Sequence, residues 1–344
     1  MKAPRSSLAA VAAFVGAIAT AALASGLSSA CASMPPSQLA REWYDLGNAW
    51  LDKGDWKRAG EAYTRALNLD PKLAGASLNL ARALTEAADY DGALRALDTL
   101  AKGDPGNVRI ITARAYALYK KGDADAALAA YREALAQDPY APDAVYNAAF
   151  LELAAGDAGA AIADLERLST ANPDDGQAFL LLGRAIDRRA QSVARVSRAG
   201  AHDAGAKDGA DGTNADDKDA AAAADKSAAS ALAAYEKAKS LGKADTDALE
   251  RMAFLYSAER RYTEAMDAFE AVFKADPKRA SAAFSLARLR FVIADDAEKG
   301  LAALKSALDA GFSDKAAASA LLAEPDLPER EKVFELLKSK DLAE

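Results

Sequence analysis

The 344-residue chain has one histidine, His202, and one cysteine, Cys31. From that stock no zinc site of Cys/His spacing, no disulfide within the chain and no paired-histidine network can be built. A serine-histidine-aspartate site would have to pass through His202, which lies in the least foldable stretch of the sequence. Aromatic residues make up only 7% of the chain, whereas about 90 residues are alanine, so much of the 51% apolar content is small. Small apolar side chains at that density suit helices packed closely on helices. The net charge is −8 and no cluster of Lys and Arg stands out. Nucleic acid is therefore not expected as a partner, because phosphate binding needs concentrated positive charge. The 51 acidic residues come with no glycine-rich phosphate loop, nucleophile elbow or metal motif. An enzyme built on a carboxylate pair is left as the alternative reading, and no cofactor and no metal are expected.

The N-terminus has the layout of a secretory signal. Lys2 and Arg5 precede the apolar stretch Leu8 to Leu27, and no charge appears between Arg5 and Arg41. The segment Leu27-Ser28-Ser29-Ala30-Cys31 resembles a bacterial lipoprotein box, although Ser28 stands where that pattern has Leu. The resemblance implies removal of residues 1–30, lipidation of Cys31 and attachment to a membrane of the cell envelope, with residues 31–39 as a tether. Acyl chains at about 0.8 kcal/mol per buried CH₂ hold a protein firmly when two or three are present. Two other fates stay open. Ala30-Cys31-Ala32 also satisfies the small-x-small rule for ordinary signal peptidase, which would release a soluble binding protein, and 20 apolar residues are long enough to remain as an anchor.

Proline marks an internal repeat. Pro71, Pro105, Pro139 and Pro173 follow one another at intervals of 34, each preceded by Asp or Asn. Trp43, Leu46 and Trp50 fall on one stripe of a helix, and Ala59, Tyr63 and Ala66 on a stripe of a second. Gly54-Asp55 between them reads as a turn followed by a helix N-cap, and Pro71 closes the unit. The pattern returns with Leu80, Ala81, Ala93 and Leu97, then with Ala115, Leu118, Ala127 and Tyr131, then with Ala148, Ala149, Ala161 and Leu165. A fifth first helix is visible at Phe179, Leu182, Gly183 and Ile186, but its second helix appears only at Ala231, Tyr235 and Ala238. A sixth copy ends at Pro277. Between Pro173 and Pro277 lie 104 residues where two repeats take 68, so 36 are inserted, at about 191 to 226. Gly200, Gly205, Gly209 and Gly212 fall in that insertion, and Ala199 to Ala215 is expected to be a disordered loop, with His202 exposed on it. A degenerate seventh copy and a closing segment over residues 312–344 complete the chain.

The period of 34 with Trp43, Leu46, Gly47, Trp50, Ala59, Tyr63, Ala66 and Pro71 resembles the tetratricopeptide repeat. The resemblance implies an all-α fold, an α-solenoid of about six stacked helix-turn-helix repeats plus the seventh and a cap. It also implies a non-catalytic interaction protein that docks a protein or peptide partner on the inner face of each first helix. The groove positions carried over are Tyr44, Asn48, Asn79, Arg82, Arg109, Tyr116, Tyr146, Asn147, Phe150 and Arg184. The carboxylate clamp of chaperone-docking members is matched at Asn48 and Asn79 and approximated at Arg109, but Tyr44 and Ala113 depart from it, so the clamp is not claimed. Trp43, Trp50 and Trp56 are assigned to packing.

Cys31→Ser is expected to move the protein out of the membrane fraction. Unchanged fractionation with an intact N-terminus would favour the uncleaved anchor.

Overall fold

The computed structural model describes residues 35–204 and 215–343, and these form sixteen α-helices and no strand. The helices come in pairs, an A helix followed by a B helix. The pairs are α1 (Pro36–Asp52) and α2 (Trp56–Leu69), α3 (Ala74–Glu86) and α4 (Tyr90–Ala101), and α5 (Val108–Lys121) and α6 (Ala124–Gln137). They continue with α7 (Pro142–Ala155) and α8 (Ala158–Ala171), α9 (Gly176–Ala204) and α10 (Ala215–Ser240), and α11 (Thr246–Ala258) and α12 (Tyr262–Ala275). Last come α13 (Ala280–Val292) and α14 (Ala297–Asp309), then α15 (Lys315–Leu322) and α16 (Arg330–Lys338). The chain divides into two compact units, with the boundary between Ala144 and Val145 in the first turn of α7. In the first unit α1 to α6 pack in sequence order. In the second, α8 to α14 do the same, and α16 packs on both α14 and α15.

The first four A–B turns are made the same way. Asp55, Asp89, Asp123 and Asp157 accept a backbone N–H from the third residue on, at 2.9 to 3.2 Å, and so cap α2, α4, α6 and α8. The backbone N–H of each of these aspartates reaches back to a carbonyl five residues earlier, for example Asp55 to Trp50 at 3.0 Å. That geometry puts the residue before the aspartate in the left-handed region. Gly54, Gly122 and Gly156 occupy it with φ of +74°, +99° and +87°, and Ala88 stands there in the second repeat with φ +63°.

The hairpins close on small residues. Ala81, Ala115, Ala149, Ala253 and Ala287 of the A helices are no more than 1% exposed, and Ala59, Ala93, Ala127, Ala161, Ala231 and Ala265 of the B helices are wholly buried. At Gly47 even a methyl group is too large, since a Cβ there would lie 2.5 Å from Cε1 of Tyr63. Trp43, Trp50 and Trp56 pack against the core around Tyr63, Ala59 and Ala76. Arg65 lies over the Trp43 ring at 4.5 Å and Arg58 over Trp50 at 4.8 Å. At the C-terminal end Leu321, Leu327, Val333, Leu337 and Leu342 cover Phe284, Ala287, Phe291 and Leu304, and Phe312 stacks on Phe284 with ring centroids 4.0 Å apart. This closing segment is what an open end of stacked repeats requires.

Three expectations meet a different geometry. The tether of residues 31–39 is already helical from Pro36, because proline fits the first helical position, where its missing N–H leaves no bond unmade. The helical bounds also overrun the insertion: α9 continues to Ala204 and α10 starts at Ala215, so residues 199–204 and 215 are helical and the backbone of His202 lies in α9. Between Asp187 and Gly200 the sequence holds only Ala, Arg, Gln, Ser and Val, with no helix breaker, and one glycine costs a helix only about 1 kcal/mol. Residues 205–214, with Gly205, Gly209 and Gly212, lie outside the described residues, as do the signal segment and Cys31. No helix among the described residues is long and apolar enough to cross a membrane.

The tyrosines that pack on the small A-helix residues are not equivalent. Tyr63 donates to Oδ1 of Asn48 at 2.7 Å, whereas the buried Tyr131 hydroxyl has no hydrogen-bond partner among the described residues. Tyr131→Phe should therefore leave stability unchanged or raise it by about 1 kcal/mol in urea denaturation, since it removes a buried hydroxyl that bonds to nothing. Gly47→Ala should lower stability by about 1–3 kcal/mol through overpacking against Tyr63. Equal effects of the two substitutions would contradict the packing described.

Candidate functional site

The faces to be judged belong to the A helices, because the B helices spend their apolar stripes on the hairpin cores. In the first unit the polar side chains of that face are wired across repeats. Oδ1 of Asn48 accepts from the Tyr63 hydroxyl at 2.7 Å and from Nδ2 of Asn79 at 2.9 Å, and Asn79 also approaches the Tyr44 hydroxyl at 3.4 Å. Tyr44 lies against Tyr63 with ring centroids 5.9 Å apart. With both lone pairs of Asn48 Oδ1 engaged, Asn48 offers an incoming chain its amide N–H groups, and Asn79 its carbonyl oxygen. One repeat on, the Tyr116 hydroxyl donates to Oε1 of Glu86 at 2.7 Å, and Lys120 lies 3.5 Å from Oε2 of the same carboxylate. Arg82 and Arg109 differ from these neighbours. Both are exposed, and neither has an ion pair among the described residues.

In the second unit the links are ionic. Tyr146 donates its hydroxyl to Asp175, the residue that caps α9 through the N–H groups of Gln177 and Ala178 at 3.1 Å. Arg184 pairs with Asp245 at 2.5 Å, and Arg251 returns the link from α11 by donating Nε to the buried carboxylate of Asp187 at 2.8 Å. Nη2 of Arg251 reaches the same oxygen, and Gln191 donates to the other at 3.0 Å. Arg279 joins α11 to α13 by contacting Asp247, Glu250 and Asp276 at 2.5, 2.6 and 3.3 Å, and these hydrogen bonds hold its guanidinium pKa above the usual value. Arg261 sits 4.5 Å over the Tyr256 ring and binds Glu236 and Glu264. Exposed pairs of this kind contribute little one by one. Here they fix which A helix lies beside which.

The ten residues carried over from the sequence thus separate into kinds. Tyr44, Asn48 and Asn79 form one connected group, and Tyr116, Tyr146 and Arg184 are each anchored to a carboxylate. Arg82 and Arg109 are exposed cations, Asn147 is half-buried and Phe150 is 55% exposed. Tyr44 to Tyr116 belong to the first unit and Tyr146 to Arg184 to the second. Sequence reading passed over Arg251 and Arg279, because nothing in the repeat pattern marks the partner of an ion pair. It also passed over Phe254 and Arg288, which hold the same register as Phe150 and Arg184 two repeats further on and were legible by counting 34 onward from Ala40 and, past the insertion, 34 back from Pro277. Arg188, Arg189 and Arg195 lie exposed along α9, a run of positive charge not singled out from the sequence. No group of His, Cys, Asp and Glu among the described residues could hold a metal ion.

Comparison with known proteins agrees with this architecture. A family model described as the tetratricopeptide domain of cytochrome c-type biogenesis protein H matches residues 19–143, and two general tetratricopeptide repeat models match residues 118–185 and 246–279. Tetratricopeptide repeat protein 16 of Mus musculus is 34% identical over 76 residues, which are 22% of this chain and 10% of that protein. The matched stretch therefore spans about a tenth of that relative's length. Among solved structures, PilF of Pseudomonas aeruginosa is 15% identical with a TM-score of 0.52, covering 71% of this chain and 95% of PilF. A tetratricopeptide repeat protein of Parabacteroides merdae is 18% identical with a TM-score of 0.46, covering 83% of this chain and 98% of its own. The chain carries tetratricopeptide repeats in an all-α fold of the α-solenoid class, an interaction fold that brings no reaction of its own.

Burial pushes the Tyr63 hydroxyl up to about 12 from its ordinary value near 10, against a smaller lowering by the nearby amide of Asn79. A group whose pKa is higher folded than unfolded adds stability below the unfolded value and loses it as the pH climbs to the folded one. The urea midpoint should therefore fall between pH 10 and pH 12, and Tyr63→Phe should make that fall shallower by up to one proton. An unchanged slope in the variant would mean that Tyr63 is not held as described.

Proposed function

We propose that this chain is a protein-protein interaction scaffold of the bacterial cell envelope, attached to a membrane through a lipid on Cys31 and binding a protein or peptide partner on its A-helix faces. The observation that carries the reading is the division of labour within each hairpin. The B helices turn their apolar stripes into the core. The A helices display Arg82 and Arg109, both exposed and with no ion pair among the described residues, the amides of Asn48 and Asn79, and the exposed ring of Phe150. Guanidinium groups pair with carboxylates, amides bond to an extended backbone, and aromatics give broad contact at low entropic cost. Membrane attachment is supported by the residues themselves: Lys2 and Arg5, the apolar run to Leu27, and the single cysteine placed where lipoprotein signals end. The outer membrane, with the repeats facing the periplasm, is the location that fits such a signal best.

Capture from solubilised membranes tests the recognition face. Arg82→Glu with Arg109→Glu should release the bound partner while leaving the melting curve unchanged, because both side chains are exposed and have no ion pair among the described residues. Retention of every partner by the double variant would remove the first unit's A-helix face from the proposal.

A further inference from the structure

Asn48 marks a recurring place on the A helices, and where the B helix carries a ring opposite it the two meet: Asn48 touches Tyr63, and Phe254 meets Phe269 edge-on with centroids 5.1 Å apart. In the second unit the residues at this place, in chain order, are Phe150, Arg184, Phe254 and Arg288. Aromatic and cation alternate. Phe150 is 55% and Phe254 40% exposed, and exposed rings of this size on one face mark a contact surface better than scattered aliphatic residues do. The two arginines are each steadied by one acid: Arg184 donates Nη2 to Asp245 at 2.5 Å and Arg288 donates Nη2 to Glu324 at 3.2 Å. A guanidinium has five N–H donors, so each retains donors for a second acceptor.

The rows that carry these residues are neighbours. Tyr146 on α7 bonds to Asp175 at the start of α9, Arg184 and Asp187 on α9 bond to Asp245 and Arg251 of the α11 segment, and Ser281 of α13 bonds to Glu250 of α11 at 3.1 Å. Packed helices lie about 8–10 Å apart. A polyproline-II chain rises about 3.1 Å per residue with three residues per turn, so residues three apart share one face and each turn passes one A helix.

We propose that the second unit takes a peptide in polyproline-II conformation in which apolar and acidic residues alternate at intervals of three, the apolar ones on Phe150 and Phe254 and the acidic ones on Arg184 and Arg288. This rests on the recognition-face reading above and adds a register and a chemistry to it. A basic segment would oppose both cations, and a wholly apolar one would cover them without giving their free N–H groups an acceptor.

The probe is a labelled peptide, Leu-Ser-Ser-Glu-Ser-Ser-Leu-Ser-Ser-Glu, titrated with the full chain in detergent and followed by fluorescence anisotropy. A peptide of identical composition with each Glu moved next to a Leu is the comparison. The ordered peptide should bind at least about tenfold tighter, and Arg288→Glu and Phe254→Ala should each weaken it by about that factor. Replacing one Glu of the peptide by Lys should restore binding to Arg288→Glu, a rescue that a merely unfolded variant would not give. Equal affinity for the two peptides, no rescue, or no binding of the ordered peptide at about 1 mM protein would overturn the register. If the envelope partner is still lost on Arg82→Glu with Arg109→Glu while the peptide fails, the recognition face stands and only the register falls.

Discussion

Everything in this chain depends on two helices of a hairpin coming close enough for small side chains to touch. Gly47 lies under the Tyr63 ring with no room for a methyl group, Gly183 lies in the same way under Tyr235, and the equivalent alanines from Ala81 to Ala287 are buried to within 1%. That constraint explains the composition. A chain with few aromatics and a great many alanines builds thin hairpins, and each can bury its apolar stripes only against the next. Because the core takes the B helices and one side of the A helices, the remaining side of each A helix is left to polar, charged and aromatic residues, and recognition is assigned there.

Between repeats, the face proposed for recognition also ties neighbouring helices together. The Asn48–Asn79 pair, the Tyr116–Glu86 bond and the ion pairs of Arg184, Arg251 and Arg279 hold neighbouring A helices in order, using residues that a reading by family position would give wholly to a partner. Arg82, Arg109, Phe150 and Phe254 are the ones whose exposure leaves them most open to a partner. The distinction matters physically: replacing a wired residue such as Asn48 disturbs Tyr63 as well, so loss of binding in that variant would not locate the partner. Arg82 and Arg109, exposed and with no ion pair among the described residues, are the ones from which a binding surface can be read.

The hairpins were legible from the sequence because their signals are local and periodic. Pro71, Pro105, Pro139 and Pro173 set the period, Gly54-Asp55 and its copies mark the turns, and the small residues follow at fixed offsets. The wiring was not legible, since the pairing of Arg251 with Asp187 or of Arg279 with Glu250 spans tens of residues and depends on how one repeat settles on the next. The insertion misled for a third reason. Its glycines and acidic residues suggested a loop from Ala199, but the Ala- and Arg-rich stretches on either side have the propensity to prolong α9 and α10, and local helix propensity overcame a single glycine. Of the site, the general face was readable from Trp43 and Tyr63 onward, while the separation into wired and displayed residues needed coordinates.

A photo-crosslinking residue placed in living cells tests most directly whether the A-helix face is where partners bind. Substituted at Arg82 and Arg109 on α3 and α5, it should yield covalent adducts with a partner protein, and at the exposed Glu61 and Arg95 on the B helices α2 and α4 it should yield none. Adducts confined to Glu61 and Arg95 would contradict the account and move recognition to the opposite face.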